Sequence, residues 1–134
     1  MPRLDECHPQ VVRALEKAGW TVEPRPYRIF LDRRHTLHID IEAKQNQQTI
    51  IVVEVKCFTT PDEETTDLYI ALGQYQVYRG LLDEHNLDFP LYLAVPSQAY
   101  YSVFQRMGMP AVRNNRVKLV VVNIEQETIE RWIE

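Results

Sequence analysis

The chain has 134 residues, 45% of them hydrophobic, and carries 15 Lys and Arg against 19 Asp and Glu, a net charge of −4. That length suits one domain with a real core, and four Gly without a Ser-rich or repeated tract argue against linkers, repeats and disorder. An acidic total excludes a strongly basic, self-sufficient nucleic-acid binder, and no apolar run approaches the ~20 residues that a membrane helix needs.

The first ten residues, MPRLDECHPQ, hold no apolar targeting core. Cys7 and Cys57 show neither CxxC spacing nor a disulfide framework, so a reducing cytoplasm fits. Next, His8, Val11, Val12, Leu15 and Ala18 follow helical spacing, and Gly19 supplies a stop. PRPYRIFL is broken by prolines and then turns extended, LHIDIEA reads as a second strand and TIIVVEVKCF as a third, ended by TTP. From Leu68 to about Glu84, Leu68, Ala71, Leu72, Tyr75, Tyr78 and Leu82 form the apolar stripe of a long helix. Acids at its start suit the helix dipole. LYLAV is a short buried strand, SQAYYSVFQRM a helix and VKLVVVN a further strand after the turn-like RNN. EQETIERWIE is expected to pack Ile129, Trp132 and Ile133 as a terminal turn or short helix. Strands separated by helices imply an α/β fold, a single-domain mixed-sheet sandwich flanked by helices. The apolar last strand and the Ile129, Trp132, Ile133 cluster leave more apolar surface than one sheet side easily covers, so a two-fold homodimer is expected.

Charge is unevenly spread. Residues 1–57 hold nine Lys and Arg against eight acids, whereas residues 58–134 hold six against eleven. Arg25, Arg28, Arg33 and Arg34 gather before the third strand, and DEETTD gathers after it. Both runs suit solvated loops, and the arginines equally suit a phosphate-facing strip.

Strict alternation in TIIVVEVKCF puts Ile50, Val52, Glu54, Lys56 and Phe58 on one face. Two charges among apolar neighbours are costly unless they pair, bind a metal or reach water. Asp40 near the end of the previous strand completes D-x13-E-x-K. Asp40 and Glu54 converging from adjacent strands are candidate Mg²⁺ ligands, because that cation takes oxygen donors and keeps several waters. Lys56 would orient or deprotonate an attacking water beside a phosphate. An exposed ladder or an ion pair explains ExK alone equally well. Glu16, flanking the apolar stripe of the first helix, is a candidate further carboxylate, or a solvent-facing helix acid. His38 shares a face with Asp40 and suits a structural role as well as a ligand. Gln74 and Tyr78, four residues apart, share one helical face. The pair resembles the helper motif bordering the active site of some PD-(D/E)xK phosphodiesterases, although Tyr78 also lies on the apolar stripe.

Nearly the whole chain is similar to the XisH family, called fdxN element excision controlling factors in cyanobacteria. The similarity is carried by CHPQVVRALEKAGWTVE, HIDIEA, IVVEVKCF, ALGQYQVYRGLL, LYLAVPSQAYYSVF and VKLVVVNIEQETIERWIE. It implies a restriction-endonuclease-like core with Asp40, Glu54 and Lys56 at the nuclease-motif positions and Gln74 beside them. It further implies a part in programmed, site-specific excision of a DNA element during heterocyst differentiation, alongside a recombinase and an XisI-type companion. Two positions depart from that pattern: Lys44 stands where the family carries an acid, and Cys57 stands where serine follows the lysine. The expectation is an accessory factor of excision, with Arg25, Arg28, Arg33, Arg34 and Tyr78 as candidate nucleic-acid contacts. An active Mg²⁺-dependent endonuclease is one alternative. Another is a module that binds only its XisI-type companion through the acidic 58–134 half.

Overall fold

A computed structural model describes residues 6–134. Helix α1, His8–Lys17, begins with a proline in its first turn, where the missing N–H costs nothing, and buries Val11, Ala14 and Leu15. It stops as the sequence predicts: Trp20 N–H donates to Leu15 O at 3.0 Å and Gly19 takes φ +96°. A Cβ on Gly19 would meet Gln45 Nε2 at 3.5 Å, an ordinary contact, so the demand there is conformational. Gly19→Ala is expected to cost about 1 kcal/mol in a urea melt, the strain of a side chain at positive φ.

Eight strands follow the chain as β1 Thr21–Val22, β2 Tyr27–Phe30, β3 Thr36–Ile39, β4 Ile41–Gln45, β5 Thr49–Val55, β6 Leu91–Pro96, β7 Leu119–Asn123 and β8 Thr128–Ile133. Six of them form one mixed sheet in the order β1-β4-β5-β6-β7-β8, parallel at β5–β6 and β6–β7 and antiparallel elsewhere. Strands β2 and β3 make a separate hairpin. Between β5 and β6 runs α2, Glu64–Glu84, preceded by a 3₁₀ turn at Pro61–Glu63. Between β6 and β7 runs α3, residues 97–114, α-helical at both ends and π-helical over Tyr100–Gly108. No helix among the described residues is long and apolar enough to cross a membrane.

Alternation sorts the sheet's side chains into two cores. On one face Val52, Leu91, Leu93, Val95, Leu119 and Val121 pack under α2 and α3; on the other Val53, Val55, Ala94, Val120 and Val122 pack under α1. Strand β6 is buried throughout because it is parallel-paired on both sides and covered on both faces. Tyr75 ties α2 to the sheet: its hydroxyl donates to Leu91 O at 2.8 Å and accepts from Lys118 N–H at 3.1 Å. Tyr75→Phe is expected to lower stability by about 1–3 kcal/mol, since the buried Leu91 carbonyl and the half-buried Lys118 amide lose this partner. Thermal melting of the two proteins checks it.

The structure corrects four sequence expectations. The tail is a strand, β8, antiparallel to β7: with a register shift at Val121/Val122, Ile129 and Trp132 pack on the α1 side of the sheet and Ile133 on the α2–α3 side. Trp132 packs on Trp20 and Tyr92, with ring centroids 6.0 and 5.0 Å away. Ile129, Trp132 and Ile133 are thereby partly buried within the chain. LHIDIEA is two strands, since the backbone leaves the main sheet at Asp40. A two-residue strand, β1, pairs with β4 where the sequence shows no strand signal. Finally, Cys7 and Cys57 form a disulfide with Cα atoms 5.7 Å apart. Two cysteines 50 positions apart carry no framework pattern, and only the fold makes them neighbours. Reduction is expected to cost about 2–4 kcal/mol, the usual effect of opening a loop of that length, read as a lower melting temperature in reductant.

Candidate functional site

The β4–β5 ladder ends at Ile41 opposite Val53, so the next rung would set Asp40 opposite Glu54. Backbone pairing stops there and the two side chains take it over. Val55 N–H donates to Asp40 Oδ2 at 2.8 Å, and Asp40 N–H donates to Glu54 Oε1 at 3.2 Å. Each carboxylate thus braces the end of the other's strand. Glu54 is 7% exposed and is the one buried charged residue among those described. Amide donors stabilise a carboxylate in such a place, which accounts in part for an acid inside an apolar strand.

Lys56 continues the same face. Its amide donates to Ala94 O at 3.0 Å and its ammonium lies 3.6 Å from Asp67 Oδ1 in the first turn of α2. Tyr78, about three turns further along α2, has its phenol pushed up to about 12, first by burial and then by the negative charges of Glu54 and Asp40. It therefore stands beside both carboxylates and stays protonated at neutral pH. Asp40, Glu54, Lys56 and Tyr78 form one neighbourhood. Gln74 lies on the same helix face, exposed, one turn before Tyr78. Asp67 was missed because the acidic run DEETTD reads as surface. Its signal was spacing, since residues 67, 71, 74 and 78 repeat at four, three and four, one face of a helix.

The other candidates lie around this group. Glu16 is exposed on α1 and shares a cleft with His8, Val22, Arg25 and Asp40. His38 sits opposite Arg28 in the β2–β3 hairpin. Arg25, Arg28, Arg33 and Arg34 are all exposed, and only Arg25 also lines the cleft of Asp40. Lys44, at the departure from the family pattern, pairs with Glu23 at 3.2 Å.

Among the described residues, no group of three or more His, Cys, Asp or Glu could hold a metal ion. Two neighbouring carboxylates nevertheless fit Mg²⁺, which is commonly bound through one or two of them plus waters and substrate phosphates. The donor chemistry suits a hard cation without Glu16.

Comparison with functionally curated proteins gives no match. Among solved structures, the chain is similar to an XisH family protein from Nostoc punctiforme, with 35% identity, coverage of 97% of this chain and 100% of that one, and a TM-score of 0.86. It is also similar to an fdxN element excision controlling factor protein from Anabaena variabilis, with 37% identity, coverage of 95% and 97%, and a TM-score of 0.85. The family model described as XisH protein matches residues 1–130. With the match running over nearly the whole chain and both structural relatives sharing its fold end to end, this chain belongs to the XisH family.

Proposed function

We propose that the chain is an accessory factor controlling site-specific excision of a DNA element, built on a PD-(D/E)xK, restriction-endonuclease-like core. The similarity to the Anabaena variabilis fdxN element excision controlling factor protein supports the excision role. The observation that carries the reading is the buried Glu54 braced against Asp40 where β3 and β4 part, with Lys56 two residues on and Tyr78 above them. Asp40 and Glu54 are the residues to hold Mg²⁺, which when bound polarises a phosphate oxygen and lowers the pKa of a water. The chain's own part is to position. Lys56, anchored by Asp67, directs a cation toward a phosphodiester, while Tyr78 and Gln74 border the approach from α2. An XisI-type companion, a site-specific recombinase and a second copy of the chain complete the proposed assembly.

Duplex DNA binding across a salt series tests this. Affinity is expected to fall steeply, about tenfold or more between 50 and 200 mM salt, because phosphate contacts release counterions. No binding at the lowest salt would sink the DNA reading. A second reading, an active Mg²⁺-dependent endonuclease, is favoured by the retention of both carboxylates and the lysine in one neighbourhood. Plasmid nicking that Lys56→Ala removes while DNA binding survives would establish it.

A further inference from the structure

The β2–β3 hairpin has two unlike faces. Tyr27, Ile29, Leu37 and Ile39 turn inward, with Ile29 and Ile39 buried in the α2–α3 core and Tyr27 edge-on to Phe89 at 5.5 Å. The same alternation sends Arg28, Phe30, Thr36 and His38 outward. Phe30 is 65% exposed and Leu31 is 42% exposed, next to Arg33 and Arg34 in the turn. A large exposed aromatic at a basic tip is not explained by the core, which the inward residues already serve.

The tip is also stiff. Leu31 N–H donates to His35 O at 3.0 Å, and Asp32 Oδ1 accepts from the backbone N–H groups of Arg34 and His35 at 2.8 and 3.0 Å. Those bonds hold the Asp32 carboxyl below its ordinary range, the Arg34 amide most of all and the His35 side chain next. The lone acid of residues 24–38 is thus spent on closing the turn, which leaves four arginines facing water on a chain whose total charge is −4. Arg28 lies over the Phe30 ring, 5.9 Å from its centroid, and steadies it as a cation–π partner.

We propose that this hairpin is a DNA-distorting wing: Arg28, Arg33 and Arg34 grip backbone phosphates while Phe30 wedges between bases. Charge complementarity names the occupant, since phosphate is what a cluster of exposed guanidinium groups binds in bidentate fashion. The aromatic tip distinguishes a reader of unstacked bases from a mere electrostatic patch, as apolar wedges that partly unstack a base step do in bent complexes. Arg25, at the hairpin's base, lines the cleft of Asp40 together with Glu16 and Glu23, so the basic surface is confined to the hairpin itself. The inference rests on the excision-factor reading, and its test separates the two.

The test is anisotropy and 2-aminopurine fluorescence on a 30-base-pair duplex, with the wild type, Arg33→Ala/Arg34→Ala and Phe30→Ala. All three substituted side chains are exposed, and unchanged melting temperatures confirm folding. The double arginine variant is expected to bind at least tenfold more weakly and to lower the log–log salt slope by about 2. Phe30→Ala is expected to keep binding within about threefold but to lose the rise in 2-aminopurine emission that marks unstacking. Wild-type binding that neither variant alters overturns the wing while the excision-factor reading stands. Absence of wild-type binding overturns both.

Discussion

Asp40→Asn and Glu54→Gln are expected to abolish a Mg²⁺-dependent rise in melting temperature and to reduce any plasmid nicking by at least about 100-fold. Both replacements keep an oxygen acceptor for the amide each carboxylate now satisfies, Val55 N–H for Asp40 and Asp40 N–H for Glu54. They remove charge without opening the end of the ladder, so a lost response to metal is not a lost fold. Alanine at either position would confuse the two, because a buried amide without its acceptor costs about 1–3 kcal/mol by itself. In the wild type, Mg²⁺ at about ten times its dissociation constant adds about 1.4 kcal/mol by mass action, roughly 5 °C for a chain of this size. Glu16→Gln is expected to leave that rise nearly intact, since two carboxylates suffice for Mg²⁺ and Glu16 is exposed. Calorimetry with and without metal, paired with nicking on the same proteins, provides the readout. If Mg²⁺ shifts the wild type no more than it shifts the Asn and Gln variants, the carboxylates brace the strands and hold no cation. The accessory role then stands without phosphodiester chemistry.

The sheet's central strands were legible because burial on both faces leaves a continuous apolar run. LYLAV and VKLVVVN could be little else in a mixed sheet, and the stripe through Leu68, Tyr75 and Leu82 announced α2. The charged pair in β5 was legible for the opposite reason, since Glu54 breaks a pattern and the break requires a compensating group. What compensates it was not readable. Asp40 N–H and the end of the β4–β5 ladder are properties of strand register, and Asp67 comes from a helix that the acidic run masks. Trp132 misled because a strand that hosts a register shift loses its period of two, so TIERWI presents mixed spacing to a linear reading. The link between Cys7 and Cys57 depends on α1 lying against the end of β5, a contact between segments 50 positions apart. Long-range register and loop closure are the terms that local pattern does not contain.

Phe104→Ala is expected to cost about 3–5 kcal/mol, a large part of the 5–15 kcal/mol that holds a typical domain folded. Phe104 sits inside the π-helical stretch Tyr100–Gly108, 0% exposed, with its ring edge-on to Phe58 at 5.7 Å. Its surroundings have little slack, for a Cβ on Gly108 would approach the Phe104 ring to 3.1 Å and Leu68 to 3.2 Å. Close packing on that side means that neighbours have few alternative rotamers with which to fill the space, so truncation leaves most of the ring's volume as a cavity. Phe58 deepens the effect. It takes φ +54°, a conformation that a bulky residue adopts only where its surroundings impose it, and the Phe104 ring is among those surroundings. Removing the ring leaves Phe58 held at that costly φ with one of its packing partners gone, at the segment that follows Lys56 and Cys57. Phe104→Leu, which keeps most of the apolar contact, is expected to lose less than half as much. Phe58→Ala combined with Phe104→Ala is expected to cost less than the two single losses added together, because both delete the same contact. Urea melts of the four proteins decide it. A loss below about 1 kcal/mol for Phe104→Ala would mean that α3 does not pack on α2 and the sheet through this ring.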